Sequence, residues 1–139
     1  MLFLRLVVNT NRIIAALIRD STSRKIIMSG KIELVTPKFS QKEIKKHKDE
    51  LVSKAKITNK QFDQLLSILL TKIYSVDDEI TAKKMRDAKM IIGSIDSDDE
   101  PFISLALAIT NDGIWTDDRH FLEQKFVKIY TTADLITMI

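Results

Sequence analysis

"DSDDEPFISLALAITNDGIWTDD", residues 96–118, is the stretch from which the rest of the chain is read. Its middle, Phe102 to Ile109, is apolar on every side of a helical wheel, which marks a buried helix and not a surface one. Pro101 suits the first turn, where the donor it lacks would have no intrahelical partner anyway. The helix therefore begins near Asp99 or Glu100. Asn111-Asp112-Gly113 is a turn. Ile114-Trp115-Thr116 is a very short strand that ends in Asp117-Asp118. The stretch also carries seven carboxylates, Asp96, Asp98, Asp99, Glu100, Asp112, Asp117 and Asp118, and no Lys or Arg occurs from Met90 to Asp118. The chain has 22 Lys and Arg against 19 Asp and Glu, so only 12 acids are left outside the stretch. A basic protein thus gathers uncompensated negative charge around one apolar helix.

Upstream, Leu2 to Val8 is a Leu/Val/Phe run interrupted only by Arg5, as expected of a central strand of a parallel sheet. It has no basic lead and no small-residue cleavage site, so it reads as a strand and not as a signal peptide. Thr10 or Asn11 is placed to cap a helix carrying Ile13, Ile14, Leu17 and Ile18. Arg24 to Ser29 is a second helix ended by Gly30, and Glu33 to Pro37 a second strand. Ser40 to Ala55 reads as one helix, with Ser40 and Glu43 at capping-box spacing. Asn59 to Tyr74 is another, with Phe62, Leu65, Leu66, Leu69 and Ile73 on one face. A helix from Ile80 to Ile92 stops at Gly93. Val127 to Tyr130 is a last strand and Ala133 to Ile139 a last helix.

This alternation predicts an α/β fold, a three-layer α/β/α sandwich with a mainly parallel central sheet, in a single domain spanning 1–139. Ligands of such sheets bind at the carboxyl ends of strands. The polar ends at Asn9, Asp99 and Asp117-Asp118 are therefore expected at one sheet edge. The composition, 45% hydrophobic and 29% charged, excludes disorder. No apolar run is long enough to cross a bilayer, so no membrane partner and a cytoplasmic location are expected. The absence of cysteine excludes a disulfide framework and thiolate metal sites. Lys42, Lys45, Lys46, Lys48, Lys54, Lys56 and Lys60 crowd one region, and Lys83, Lys84, Arg86 and Lys89 another. Both read as solvated helix faces unless a polyanion binds there.

Carboxylates brought within a few ångströms of one another either take up protons or bind a cation. With no cysteine, oxygen ligands dominate, which suits Mg²⁺ or Mn²⁺ better than Zn²⁺. Such a site can activate a water and clamp a phosphodiester. Plainer roles compete. Asp99 suits an N-cap, Glu43 a capping-box partner of Ser40, and Asp117-Asp118 a solvated turn. His47 and His120 read as surface residues. Trp115, Phe121, Met85 and Met90 read as core, as does the helix face from Phe62 to Tyr74. A haloacid-dehalogenase-type phosphatase needs Asp-x-Asp after the first strand, and a response-regulator receiver an acidic pair there; Asn9-Thr10-Asn11 supplies neither.

"VVNTNRIIAAL", "QKEIKKHKDEL", "DSDDEPFISLALAI" and "GIWTDDRHF" together resemble the PIN domain family, in particular its small prokaryotic branch of VapC-type toxins. The resemblance runs from Leu2 to Ile139. It implies a metal-dependent endoribonuclease, the toxin of a toxin–antitoxin pair, in which acids hold one or two Mg²⁺ or Mn²⁺ ions that activate a water for in-line attack. The family's motif positions fall on Asn9, Glu43, Asp99 and Asp118, with Thr116 as its threonine. Asp96 and Asp117 are accessory acids, and Arg119, Lys42 and Lys46 face RNA phosphates. A homodimer and an antitoxin partner are implied as well. Asn9 departs from the pattern, because the family has Asp there. An amide brings no negative charge and cannot act as a base. Three readings stay open: a naturally weakened or inactive protein, one whose missing charge comes from Asp96 or Asp117, and one disarmed by deliberate substitution. The alternative function is a catalytically degraded module that binds RNA or protein.

Overall fold

The computed structural model describes residues 4–19 and 21–139. Among these, five strands form one all-parallel sheet: β1 (Arg5–Val8), β2 (Glu33–Pro37), β3 (Ile73–Val76), β4 (Gly113–Trp115) and β5 (Ile129–Tyr130), in the order β3-β2-β1-β4-β5. The chain builds outward from β1 to β2 and β3, then returns to place β4 on the other side of β1. The carboxyl ends of β1 and β4 are thus the point where the sheet reverses its winding, the place where such sheets open a crevice.

Alternation along the strands sends side chains to two cores. Leu6, Val8, Leu34 and Trp115 face one, shared with α1 (Thr10–Ile18), α2 (Thr22–Ser29), α3 (Phe39–Lys46), α4 (Lys48–Ala55), α5 (Asn59–Leu70) and α9 (Thr132–Ile136). Val7, Val35 and Ile114 face the other, shared with α7 (Met85–Ile92) and α8 (Glu100–Ala108). This is the three-layer α/β/α arrangement the sequence predicts. Phe102, Ile103, Ser104 and Leu105 of α8 are buried. The hydroxyl of Ser104, the one polar group of the apolar run, donates to the Thr81 carbonyl of α6 (Asp78–Thr81). No helix among the described residues is long and apolar enough to cross a membrane.

Several boundaries differ from expectation. The described part of the first strand is Arg5–Val8, and Leu2 and Phe3 lie outside the described residues. Asn9, not Thr10 or Asn11, is the N-cap of α1. The expected helix Ser40–Ala55 is two helices bent at His47, with His47 N–H still donating to Glu43 O and Leu51 N–H to His47 O. Helix α5 stops at Leu70, and Ile73–Val76 become the edge strand β3. The Leu65–Leu69–Ile73 period is continuous by coincidence, since Ile73 faces the first core and Val76 the second. Tyr74 and Met90 are exposed, not core. Gly93 follows α7 in right-handed backbone, φ −62°, so it is no left-handed cap. A side chain there would instead press on Glu100 Oε1 and Lys89 O, each 2.6 Å away.

Gly113 opens β4 at φ +147°, where a Cβ would collide with the Lys128 carbonyl oxygen that accepts Ile114 N–H at 2.9 Å. Gly113→Ala should therefore lose roughly 2–4 kcal/mol in urea unfolding, well above the cost of an ordinary surface substitution. A loss within about 0.5 kcal/mol would contradict the β4–β5 register.

Candidate metal centre

The site is built where β1 and β4 end side by side, with Asn9 N–H donating to Trp115 O at 3.1 Å. Asn9 is buried, and its Oδ1 accepts Asn11 N–H at 3.4 Å. That contact fixes the amide's orientation, because the reverse would set two donors against each other. Its Nδ2 then donates to Thr116 Oγ1 at 2.8 Å. The same hydroxyl oxygen accepts Asp118 N–H at 3.0 Å. Thr116, fully buried, thus ties the end of β1 to the turn that carries Asp118.

Asp99 reaches this edge from below. A 3₁₀ turn over Ser97–Asp99 leads into α8 and is capped by Asp96, whose Oδ1 accepts Asp98 N–H at 2.9 Å. Asp99 occupies the cap position of α8, yet its side chain makes no capping bond. Its Oδ2 is buried with no hydrogen-bond partner. Asp118 opens a second 3₁₀ turn, Arg119–Glu123, by accepting His120 N–H on Oδ1 at 2.9 Å. This brings His120 Nδ1 to 3.4 Å from Asp118 Oδ1, 3.5 Å from Asp96 Oδ2 and 4.0 Å from Asp99 Oδ2. Ligand atoms of Asp96, Asp99 and His120 all lie within 4.8 Å of one another.

Burial, then the charges of Asp96 and Asp118, pushes the Asp99 carboxyl up to about 7; His120 opposes the shift and Asp98 adds to it. Glu43, on α3, is raised by burial, eased by a hydrogen bond from Thr10 and raised again by Asp98. The capping box that competed with a ligand role for Glu43 is absent. Its Oε1 instead accepts from Thr10 Oγ1 at 2.7 Å, and Ser40 is buried against Thr10 and Thr36 at 2.9 and 2.8 Å. No direct contact joins Glu43 to Asp99; the charge of Asp98 acts on both.

The other carboxylates of the acidic stretch go elsewhere. Asp117 turns away from the group: its Oδ1 accepts Thr132 N–H at 2.7 Å, and its Oδ2 accepts from the Thr132 hydroxyl at 2.6 Å and from Arg12 at 2.8 Å. Trp115 Nε1 donates to Thr132 Oγ1 at 3.0 Å, so the strand end, α9 and α1 are clamped together. Asp112, at the opposite end of β4, accepts the backbone N–H of Arg5 on Oδ2 and donates its own N–H to Arg5 O, each at 2.8 Å. Lys42 is exposed and 3.4 Å from Asp78, Lys46 is an exposed residue whose charge acts on Glu43, and Arg119 is exposed. Sequence reasoning passed over His120. The signal was its two-residue spacing from Asp118, which becomes meaningful only once that segment forms a tight turn.

A buried carboxylate oxygen without a donor, with acidic neighbours and an imidazole facing it, fits a divalent cation, since a cation answers both the missing partner and the mutual repulsion. The family model of the PIN domain matches residues 7–135, nearly the whole length. The chain belongs to the PIN domain family. PIN domains are generally metal-dependent nucleases, which places the acidic group in a fold of phosphodiester hydrolases. No curated protein and no solved structure matches the chain.

Two measurements probe this electrostatics. In EDTA the unfolded Asp99 loses its proton near its ordinary value, 3.8, while the folded one keeps it to about 7. Between those values the folded state binds more protons, so stability falls as pH rises; the contribution is complete at low pH and lost above about 7. Asp99→Asn should therefore gain on the wild type by on the order of 2 kcal/mol between about pH 5 and pH 8 in urea unfolding. A gap that does not change with pH would refute the strained carboxylate. Asp117→Ala should lower the EDTA-state stability by about 2 kcal/mol, because it strands the half-buried Arg12. It should leave any Mn²⁺-induced rise in Tm in place, whereas a true ligand would abolish that rise.

Proposed function

We propose that this protein is a PIN-type endoribonuclease using Mg²⁺ or Mn²⁺, the toxin half of a toxin–antitoxin pair, with its centre weakened by Asn9. The observation that carries the reading is the unpartnered, buried Asp99 Oδ2 facing the Asp96–Asp118–His120 group at the β1/β4 switch point.

In this reading Asp99, Asp96 and Asp118 hold the ion, with Glu43 orienting water at the rim. When bound, the ion supplies charge neutralisation and activates water against the phosphodiester. The chain's own residues perform the rest. Thr116 accepts the Asp118 N–H and so holds that carboxylate's turn. Thr10 holds Glu43 through its hydroxyl. Lys42, Lys46 and Arg119 offset phosphate charge as the backbone approaches. The small, basic chain, with net charge +3, suits a cytoplasmic RNA substrate. A homodimer and a silencing antitoxin segment follow from the resemblance.

Asn9 favours a second reading, a degraded module that binds RNA or protein. Its amide donates to Thr116 and brings no negative charge to the edge. An aspartate in its place would accept the Thr116 hydroxyl proton in the same space while keeping the Asn11 contact. The restored acid is therefore expected to fold and to strengthen metal binding.

Labelled single-stranded RNA incubated with Mn²⁺ or EDTA separates the readings. Asn9→Asp should cleave at least about tenfold faster than the native sequence, only in the presence of metal. Adding Asp118→Asn to that variant should abolish the gain. Metal-dependent cutting by Asn9→Asp alone assigns the native sequence to the degraded class. No cutting by either form in Mn²⁺ refutes the nuclease. Expression of Asn9→Asp in growing bacteria should arrest growth if the toxin role holds.

A further inference from the structure

The geometry points to His120 as a nitrogen ligand of the divalent ion, through Nδ1, making this centre favour Mn²⁺ over Mg²⁺. The inference rests on the metal centre proposed above and adds the basis of its selectivity.

His120 is well placed by its backbone. Its N–H is held by Asp118 Oδ1, and the next residue, Phe121, is fully buried and donates its N–H to Asp118 O at 3.3 Å. The imidazole therefore leaves a turn fixed at both ends. It is Nδ1 that faces the carboxylates, at 3.4 to 4.0 Å from three of them. Neighbouring ligands of an ion held at about 2.1–2.3 Å lie about 3 Å apart and opposite ones about 4.4 Å. The 4.8 Å span of the Asp96, Asp99 and His120 atoms is close to that range before any ion draws them in. The second observation is the buried Asp99 Oδ2, which no protein donor satisfies. The group thus offers an oxygen without a partner and a nitrogen 4.0 Å from it.

The donor chemistry then separates the two metals. Mg²⁺ takes oxygen ligands in a rigid octahedron and keeps several waters, whereas imidazole suits transition metals. Mn²⁺ accepts both kinds of donor. Asn9 strengthens the argument, since the anion missing there removes the charge on which a hard ion such as Mg²⁺ most depends. With Nδ1 as ligand the ring proton sits on Nε2. The side chain is about half exposed, so water can accept that proton and hold the ring's tautomer.

Pulsed EPR on the Mn²⁺-loaded full chain reads the ligand directly. An imidazole ¹⁴N coupling is expected in the native sequence and in Asn9→Asp, absent in His120→Gln, and retained in His47→Gln, which changes the chain's other histidine. His120→Ala should weaken Mn²⁺ binding about tenfold while changing Mg²⁺ binding less than about twofold. Its Tm in EDTA should match the wild type. Mn²⁺ bound without ¹⁴N coupling, or an unchanged Mn²⁺/Mg²⁺ affinity ratio in His120→Ala, overturns the role of His120 and leaves the metal centre standing. Failure of both the native chain and Asn9→Asp to bind Mn²⁺ removes the centre itself, and this inference with it.

Discussion

The burial of one carboxylate organises this molecule. Helix α8 is apolar enough to lie inside the second core, and its N-terminal end delivers Asp99 to the carboxyl edge of the sheet with only 6% of the residue exposed. A charged oxygen in such a place costs several kcal/mol unless something answers it. No protein donor answers Oδ2 here, and three nearby acids, Asp96, Asp118 and Asp98, raise the cost. The fold tolerates this because the rest of the edge is tightly bonded: Asn9, Thr116 and the backbone of Asp118 form one continuous hydrogen-bonded path across β1 and β4. Local strain is concentrated on a group whose relief lies in binding, which is how functional sites commonly depart from the rules the remainder of a fold obeys.

The two Asp residues that follow β4 divide the work. Asp117 takes Arg12 and Thr132 and locks the strand end to two helices, so its charge is spent on architecture. Asp118 points the other way, toward His120 and Asp99. Adjacent residues in extended backbone face opposite sides, so one dipeptide serves as both anchor and site. The same economy holds on α3: Ser40 is a buried link between Thr10 and Thr36, which frees Glu43 from any capping duty and leaves its carboxylate to Thr10.

Fold membership alone would not carry a function, because scaffolds are reused for many chemistries. In this chain the family and the geometry reinforce each other: the acids that gather are at the switch point the winding of the sheet prescribes. Asn9 is the exception. It bridges the same two partners an aspartate would, Asn11 and Thr116, though it donates to the Thr116 hydroxyl where a carboxylate would accept, and it gives up the charge, so the architecture of the edge survives where its electrostatics is reduced.

What the sequence by itself determined was the buried helix, four of the five parallel strands and the order in which these elements follow one another, since hydrophobic period and terminators act locally and are written in neighbouring residues. It also marked Asp99 and Asp118 as ends of elements. Edge strand β3 was hidden because Leu69 and Ile73 continue a helical period that only pairing with β2 breaks. Only the tertiary structure decided which of seven clustered acids meet. Asp112 and Asp117 are as acidic as Asp96 and Asp118, but the sheet carries Asp112 to its far end and Arg12, from a distant helix, claims Asp117. His120 entered the site the same way. Its turn is local, closed by Asp118, but two of the carboxylates it meets, Asp96 and Asp99, come from the segment that leads into α8, and the spacing of residues along a chain does not report which distant charges will face them.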